Sequence, residues 1–156
     1  QRQLSDLRSA FDYGCALYSL SYHGRCHAAW TFYRESSATE PYYYSKQASY
    51  SEFERQYWFV DEASQVFERV YRDCKMQDIR QQALWMLAKC RQKRCGLEMP
   101  AYLGFNWMDQ EGMDYVKWNV EQNNWLAAFH SDYKGTPYYD SVYQECSYLR
   151  LYAAQH

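Results

Sequence analysis

The chain has 156 residues with 17 Lys and Arg against 19 Asp and Glu, a formal net charge of -2, so no global field draws it to nucleic acid or to an anionic membrane surface. Its size suits a single domain over residues 1–156, and no apolar run approaches the ~18 residues that a spanning helix needs. The oddity is aromatic content, 18 Tyr, 7 Phe and 6 Trp against 6 Gly and 3 Pro, which gives tyrosine the filling role leucine usually has, with rings buried and hydroxyls wet.

The chain begins at Gln1 without a basic and apolar leader and is expected to be soluble, a processed or excised piece of a larger protein. Leu4, Leu7, Phe11, Gly14 or Cys15, Tyr18 and Tyr22 recur at steps of three and four, which predicts a first helix over residues 3–23 that ends at Gly24. Cys26, Ala29, Trp30 and Tyr33 support a second helix to Ser36. Ala10 to Ser36 thus predicts a helical hairpin, with Gly24 where the chain reverses, Ala29 where two backbones approach, and Leu17, Leu20 and Tyr33 as apolar fill. Ser36 to Pro41 breaks the period, and Tyr42, Tyr43 and Tyr44 follow in an irregular segment with room for a short helical turn.

Ser51 with Glu54 reads as a capping box. From there Phe53, Tyr57, Val60, Ala63, Phe67, Val70 and Cys74 form one apolar stripe, which predicts one continuous helix over residues 51–74. Asp78 is placed to cap a helix carrying Ile79, Ala83, Leu84, Leu87 and Ala88, closed by Gly96 and Pro100. Asp109 is placed to cap another, through Met113, Val116, Val120, Trp125, Phe129 and Tyr133. Its stripe shifts phase at Asn123-Asn124, read as a bend in one helix rather than a turn between two. Gly135 then ends a helix, Thr136 caps the next and Pro137 takes its first position, and Tyr139, Val142, Cys146 and Leu149 carry the last helix to Tyr152. The fold class that follows is all-α, about three stacked antiparallel helical hairpins.

Candidate chemistry is sparse. Cys15, Cys26, Cys74, Cys90, Cys95 and Cys146 contain no C-x-x-C pair, which disfavours a zinc ribbon or a thioredoxin-like site; their even count permits disulfides, while the helix positions several of them take favour buried free thiols. His23, Cys26 and His27 are the nearest approach to a metal cluster, but Gly24 separates the histidines and a fourth ligand is missing, so neither metal nor haem is expected. Glu52 with Glu54, and Asp109 with Glu111, suit helix first turns better than acid–base catalysis. Lys89, Arg91, Lys93 and Arg94 are placed to complement a helix C-terminus. No P-loop, dinucleotide fingerprint or G-x-S-x-G elbow occurs, so no enzymatic activity and no cofactor are expected. Tyr42, Tyr43 and Tyr44 with Trp58 form the candidate recognition surface, or else lids folded back over the core.

Several fragments resemble the tetratricopeptide family of paired antiparallel helices. Gly24, Ala29, Tyr33 and Ser36 resemble its turn glycine and second-helix positions, as do Ala63, Phe67 and Val70. Ala83-Leu84-Trp85-Met86-Leu87-Ala88 is similar to the start of a repeat, and Phe129, Pro137, Val142 and Tyr143 suit a repeat boundary. The run Tyr133-Lys134-Gly135-Thr136-Pro137-Tyr138-Tyr139 resembles repeat junctions of helical-repeat proteins of the bacterial cell envelope. The resemblance implies a concave face lined by the first helix, presenting Phe11, Tyr18 and Tyr22 to a protein or peptide partner. It further implies a non-enzymatic scaffold in an envelope or periplasmic assembly, with the cytoplasm as the alternative compartment. A glycan-binding module using Tyr and Trp faces is the alternative function.

Overall fold

The computed structural model describes residues 2–26, 51–98 and 110–156, and every regular element among them is an α-helix. In chain order these are α1 (Arg2–Leu20), α2 (Glu52–Phe59), α3 (Asp61–Asp73), α4 (Gln77–Glu98), α5 (Gln110–Glu121), α6 (Asn124–Tyr133), α7 (Pro137–Glu145) and α8 (Ser147–Gln155). The expected second helix of the first hairpin and the Tyr42, Tyr43, Tyr44 segment lie outside the described residues, as do Pro100 and Asp109.

α3 packs against both α1 and α4, α4 packs in turn against α6, and α8 lies against α5, α6 and α7. Residues 74–76 alone join α3 to α4, and two packed helices on so short a link run antiparallel. One apolar cluster gathers Val60 and residues of α1 and of α3 through α8, with Val60, Phe67, Val70, Ala83, Leu84, Leu87, Phe129 and Leu149 wholly shielded from solvent. The crossing of α1 on α3 is close because Gly14 faces Phe67. A Cβ at Gly14 would stand 2.8 Å from the Phe67 ring.

Several expected helix boundaries are corrected. α1 stops at Leu20 rather than near residue 23, because the following residues coil into a turn. Ser21 N–H and its Oγ both donate to Tyr18 O, at 3.2 and 2.6 Å, Gly24 N–H donates to Ser21 O at 3.0 Å, and Cys26 N–H returns to Ser19 O at 2.8 Å. Gly24 is required there by proximity, since a Cβ would overlap the Ser19 carbonyl oxygen.

The single helix expected over 51–74 is two helices, α2 and α3, broken at Val60 with φ 53 and ψ 36. Hydrogen bonds of helical spacing still run into and out of the break, Val60 N–H to Gln56 O at 3.1 Å and Ser64 N–H to Val60 O at 2.9 Å. The apolar stripe concealed the break, yet Phe59, Val60 and Asp61 are all buried, and three successive residues cannot share one face of a straight helix.

The single helix expected to reach Tyr133 is likewise two, α5 and α6. Asn123 Oδ1 accepts from Leu126 N–H at 3.1 Å and its Nδ2 donates to Ala88 O at 2.9 Å, so the phase shift marks a capped new start. The last helix is divided at Cys146 (φ -106, ψ 111) into α7 and α8. Arg150 satisfies the end of α7 there, donating to Tyr143 O at 3.2 Å and Gln144 O at 2.6 Å. The turn before α7 follows expectation: Gly135 has φ 86, and Thr136 Oγ1 accepts from Tyr139 N–H at 3.2 Å ahead of Pro137.

α4 begins at Gln77, with Asp78 inside its first turn, and runs past Gly96 to Glu98. Lys89, Arg91, Lys93 and Arg94 therefore lie in the body of the helix, not in its last turn. From there Lys89 Nζ sits 4.9 Å over the Tyr18 ring, Arg91 Nε donates to Gln122 O at 3.4 Å, and Arg94 meets Asp61.

Candidate functional site

The turn after α1 and the end of α2 come together through backbone groups. Tyr22 N–H donates to Tyr57 O at 2.9 Å, and His23 Nε2 lies 2.9 Å from Trp58 O. A carbonyl only accepts, so His23 carries its proton on Nε2. These two bonds assemble a ring cluster: Tyr22 and Trp58 have centroids 4.6 Å apart at 41°, Tyr57 meets Trp58 at 5.0 Å, and His23 stands edge-on to Tyr22 at 5.3 Å. Tyr22, His23 and Trp58 are half-buried, while Tyr57 is buried.

Beside the rings, Asp61 is buried at the first position of α3 between two arginines. Arg55 Nη2 reaches Asp61 Oδ2 at 2.5 Å, and Arg94 Nε stands 3.3 Å from Oδ1, close enough to pair as charges but without hydrogen-bond alignment. Two of the free amides of α3 are capped by Gln56, whose Oε1 accepts from Glu62 N–H at 2.8 Å and Ala63 N–H at 3.2 Å. Tyr13 OH donates to Glu62 Oε1 at 2.8 Å, and that carboxylate holds the exposed phenol above its ordinary range.

Of the candidate binding residues, the structure brings Tyr22 and Trp58 together. Phe11 and Tyr18 are in the core, 8% and 7% exposed, rather than on a presented face. The Phe11 ring lies 5.7 Å from Phe67, and burial pushes the Tyr18 phenol far up. Tyr42, Tyr43 and Tyr44 lie outside the described residues, as does His27. Among the described residues no group of three His, Cys, Asp or Glu side chains is placed to hold a metal ion.

Cys74 and Cys90 are buried free thiols, Cys15 and Cys146 are half-buried, and Cys26 is exposed. Burial pushes the Cys90 thiol up to about 12, so it is neutral at physiological pH. A second aromatic group joins α6, α7 and α8. His130 Nδ1 and Tyr139 OH are 2.6 Å apart, Phe129 stacks on Tyr139 at 5.5 Å, and Tyr152 stands edge-on to His130 at 5.5 Å. Burial, with Lys134 and His156 adding to it, lowers the affinity of His130 for a proton.

Sequence reasoning missed Gln56, Asp61, His130 and the role of Val60. A signal existed for the break, because Tyr57-Trp58-Phe59-Val60 is apolar all round and no amphipathic helix carries such a run on one face. Gln56 left none, since its partners are set by the break itself.

No protein-family model matches the chain, and neither the curated proteins nor the solved structures yield a match. Among the described residues no helix is long and apolar enough to cross a membrane.

Proposed function

We propose that this chain is a non-enzymatic, protein-binding scaffold domain of a bacterial envelope assembly, with tetratricopeptide-like helical pairing, and that Tyr22 and Trp58 carry the contact with its partner. The observation that supports this reading is the half-buried Tyr22–Trp58 pair, 4.6 Å between centroids, drawn from two distant parts of the chain. Tyrosine and tryptophan concentrate binding energy because they contribute large, rigid rings at low entropic cost. The antiparallel α3–α4 pair, with Ala63, Phe67, Val70, Ala83 and Leu84 fully buried, supports the family likeness.

The test is crosslinking capture from envelope fractions of the native host, followed by titration of the purified partner against wild type, Tyr22→Ala and Trp58→Ala. Loss of an aromatic anchor is expected to weaken binding by about tenfold or more, with circular dichroism unchanged. Equal affinity in folded variants refutes the assignment. Two ring faces inclined at 41° also suit stacking on a sugar. A glycan-array hit abolished by Trp58→Ala, without a protein partner, establishes that alternative instead.

A further inference from the structure

An uninterrupted helix over residues 52–73 would send the amides of Asp61 and Glu62 to the carbonyls of Tyr57 and Trp58. Here both carbonyls are occupied from elsewhere in the chain, by Tyr22 N–H and by His23 Nε2, each at 2.9 Å. The amide of Glu62, with that of Ala63, is caught by Gln56 Oε1 at 2.8 and 3.2 Å, while Gln56 Nε2 holds Leu17 O at 3.3 Å. The amides of Glu62 and Ala63 and the carbonyls of Tyr57 and Trp58 thus have partners other than those of a straight helix. The residue that absorbs the bend is Val60, whose φ of 53 is unfavourable for a β-branched side chain. The stripe Phe53, Tyr57, Val60, Ala63, Phe67 meanwhile has the spacing of one straight helix.

We propose that residues 52–73 are a two-state hinge. In the bent form seen here, Tyr22, His23 and Gln56 hold the break. In the straight form Val60 takes right-handed helical angles, α2 and α3 fuse, and the carbonyls of Tyr57 and Trp58 return to the helix ladder. Burial of Phe59, 3% exposed, and the Arg55–Asp61 pair keep the bent form the major state. Straightening withdraws Trp58 from Tyr22, so the hinge sets whether the ring cluster is assembled.

Relaxation-dispersion NMR on the full chain tests this, because exchange between such forms falls on the μs–ms scale. One exchange process is expected across residues 21–23 and 57–63, with minor-state Cα and carbonyl shifts of 58–62 characteristic of right-handed helix. Val60→Gly, which tolerates the positive φ, should cut the minor population by about half or more, and Gln56→Ala should raise it about twofold or more. Gln56 is half-buried and peripheral to the core, so the second variant reports even where Val60→Gly perturbs folding. Coil-like minor-state shifts at 58–62, or no exchange in Gln56→Ala, overturn the proposal.

Discussion

The chain interrupts one helix at Val60 and another at Asn123, and the two breaks are held by different means. At Asn123 the residue at the break does the work itself: its Oδ1 caps Leu126 N–H, and its Nδ2 anchors the turn to Ala88 O. At Val60 the residue's own φ is unfavourable and its side chain caps nothing, so the hydrogen bonds that hold the break come from Gln56, Tyr22 and His23. A break capped by its own side chain survives changes elsewhere in the molecule. One held from a distance depends on every group that holds it.

The largest expected effect comes from Gly24→Ala. A Cβ that overlaps the Ser19 carbonyl must displace backbone, and the turn it displaces presents Tyr22 and His23 to α2. Urea unfolding should show a destabilisation of about 3 kcal/mol, and in the folded fraction the Tyr22 and Trp58 rings should stand apart, without an inter-ring NOE. A wild-type midpoint would sever the link between this turn and the Val60 break.

Asn123→Ala should come next, removing a cap and a buried hydrogen bond for about 2 kcal/mol. Its effect should stay local: the Tyr22 and Trp58 rings are expected to remain together, as a persistent inter-ring NOE would show. Thr136→Ala removes only the bond to Tyr139 N–H and should cost about 1 kcal/mol in the same assay.

The contrast between breaks also decides what is legible in the sequence. Gly135-Thr136-Pro137 is readable because each residue acts on its immediate neighbours. Asn123-Asn124 is visible as a phase shift, but periodicity does not tell a bend from a capped restart. Val60 and Cys146 are hidden, since Val60 keeps its place in the stripe and Val142, Cys146 and Leu149 keep theirs. What divides those helices, Gln56 at one and Arg150 at the other, is side-chain geometry that exists only once the chain has folded. Phe11 and Tyr18 are legible as apolar helix positions, but whether their face meets a ligand or α3 is not. The basic group on α4 does not complement a helix end because the helix continues past Gly96, which turns a terminal cluster into cross-links to α1, α3 and the start of the Asn123 turn.

The smallest expected effect lies in the α6–α8 region. Burial lowers the proton affinity of His130 in the fold below the ordinary histidine value of 6.5, so the unfolded chain takes up that proton more readily. The stability His130 contributes is therefore complete above that value and is lost as pH falls through its folded pKa. Urea midpoints should drop on going from about pH 7 toward about pH 5, and His130→Gln should flatten the change. A midpoint equally pH-dependent in the variant would assign the effect to other groups.

The most direct measurement is NMR on two excised segments, residues 51–74 and residues 110–134, in a helix-promoting alcohol–water mixture. The first keeps Gln56 but loses Tyr22 and His23 and is expected to be helical without interruption through Val60; the second is expected to keep its break because Asn123, which caps it, stands at the break itself. A left-handed Val60 in the isolated first segment would contradict the account, for the break would then belong to the local sequence and not to the groups that reach it across the fold.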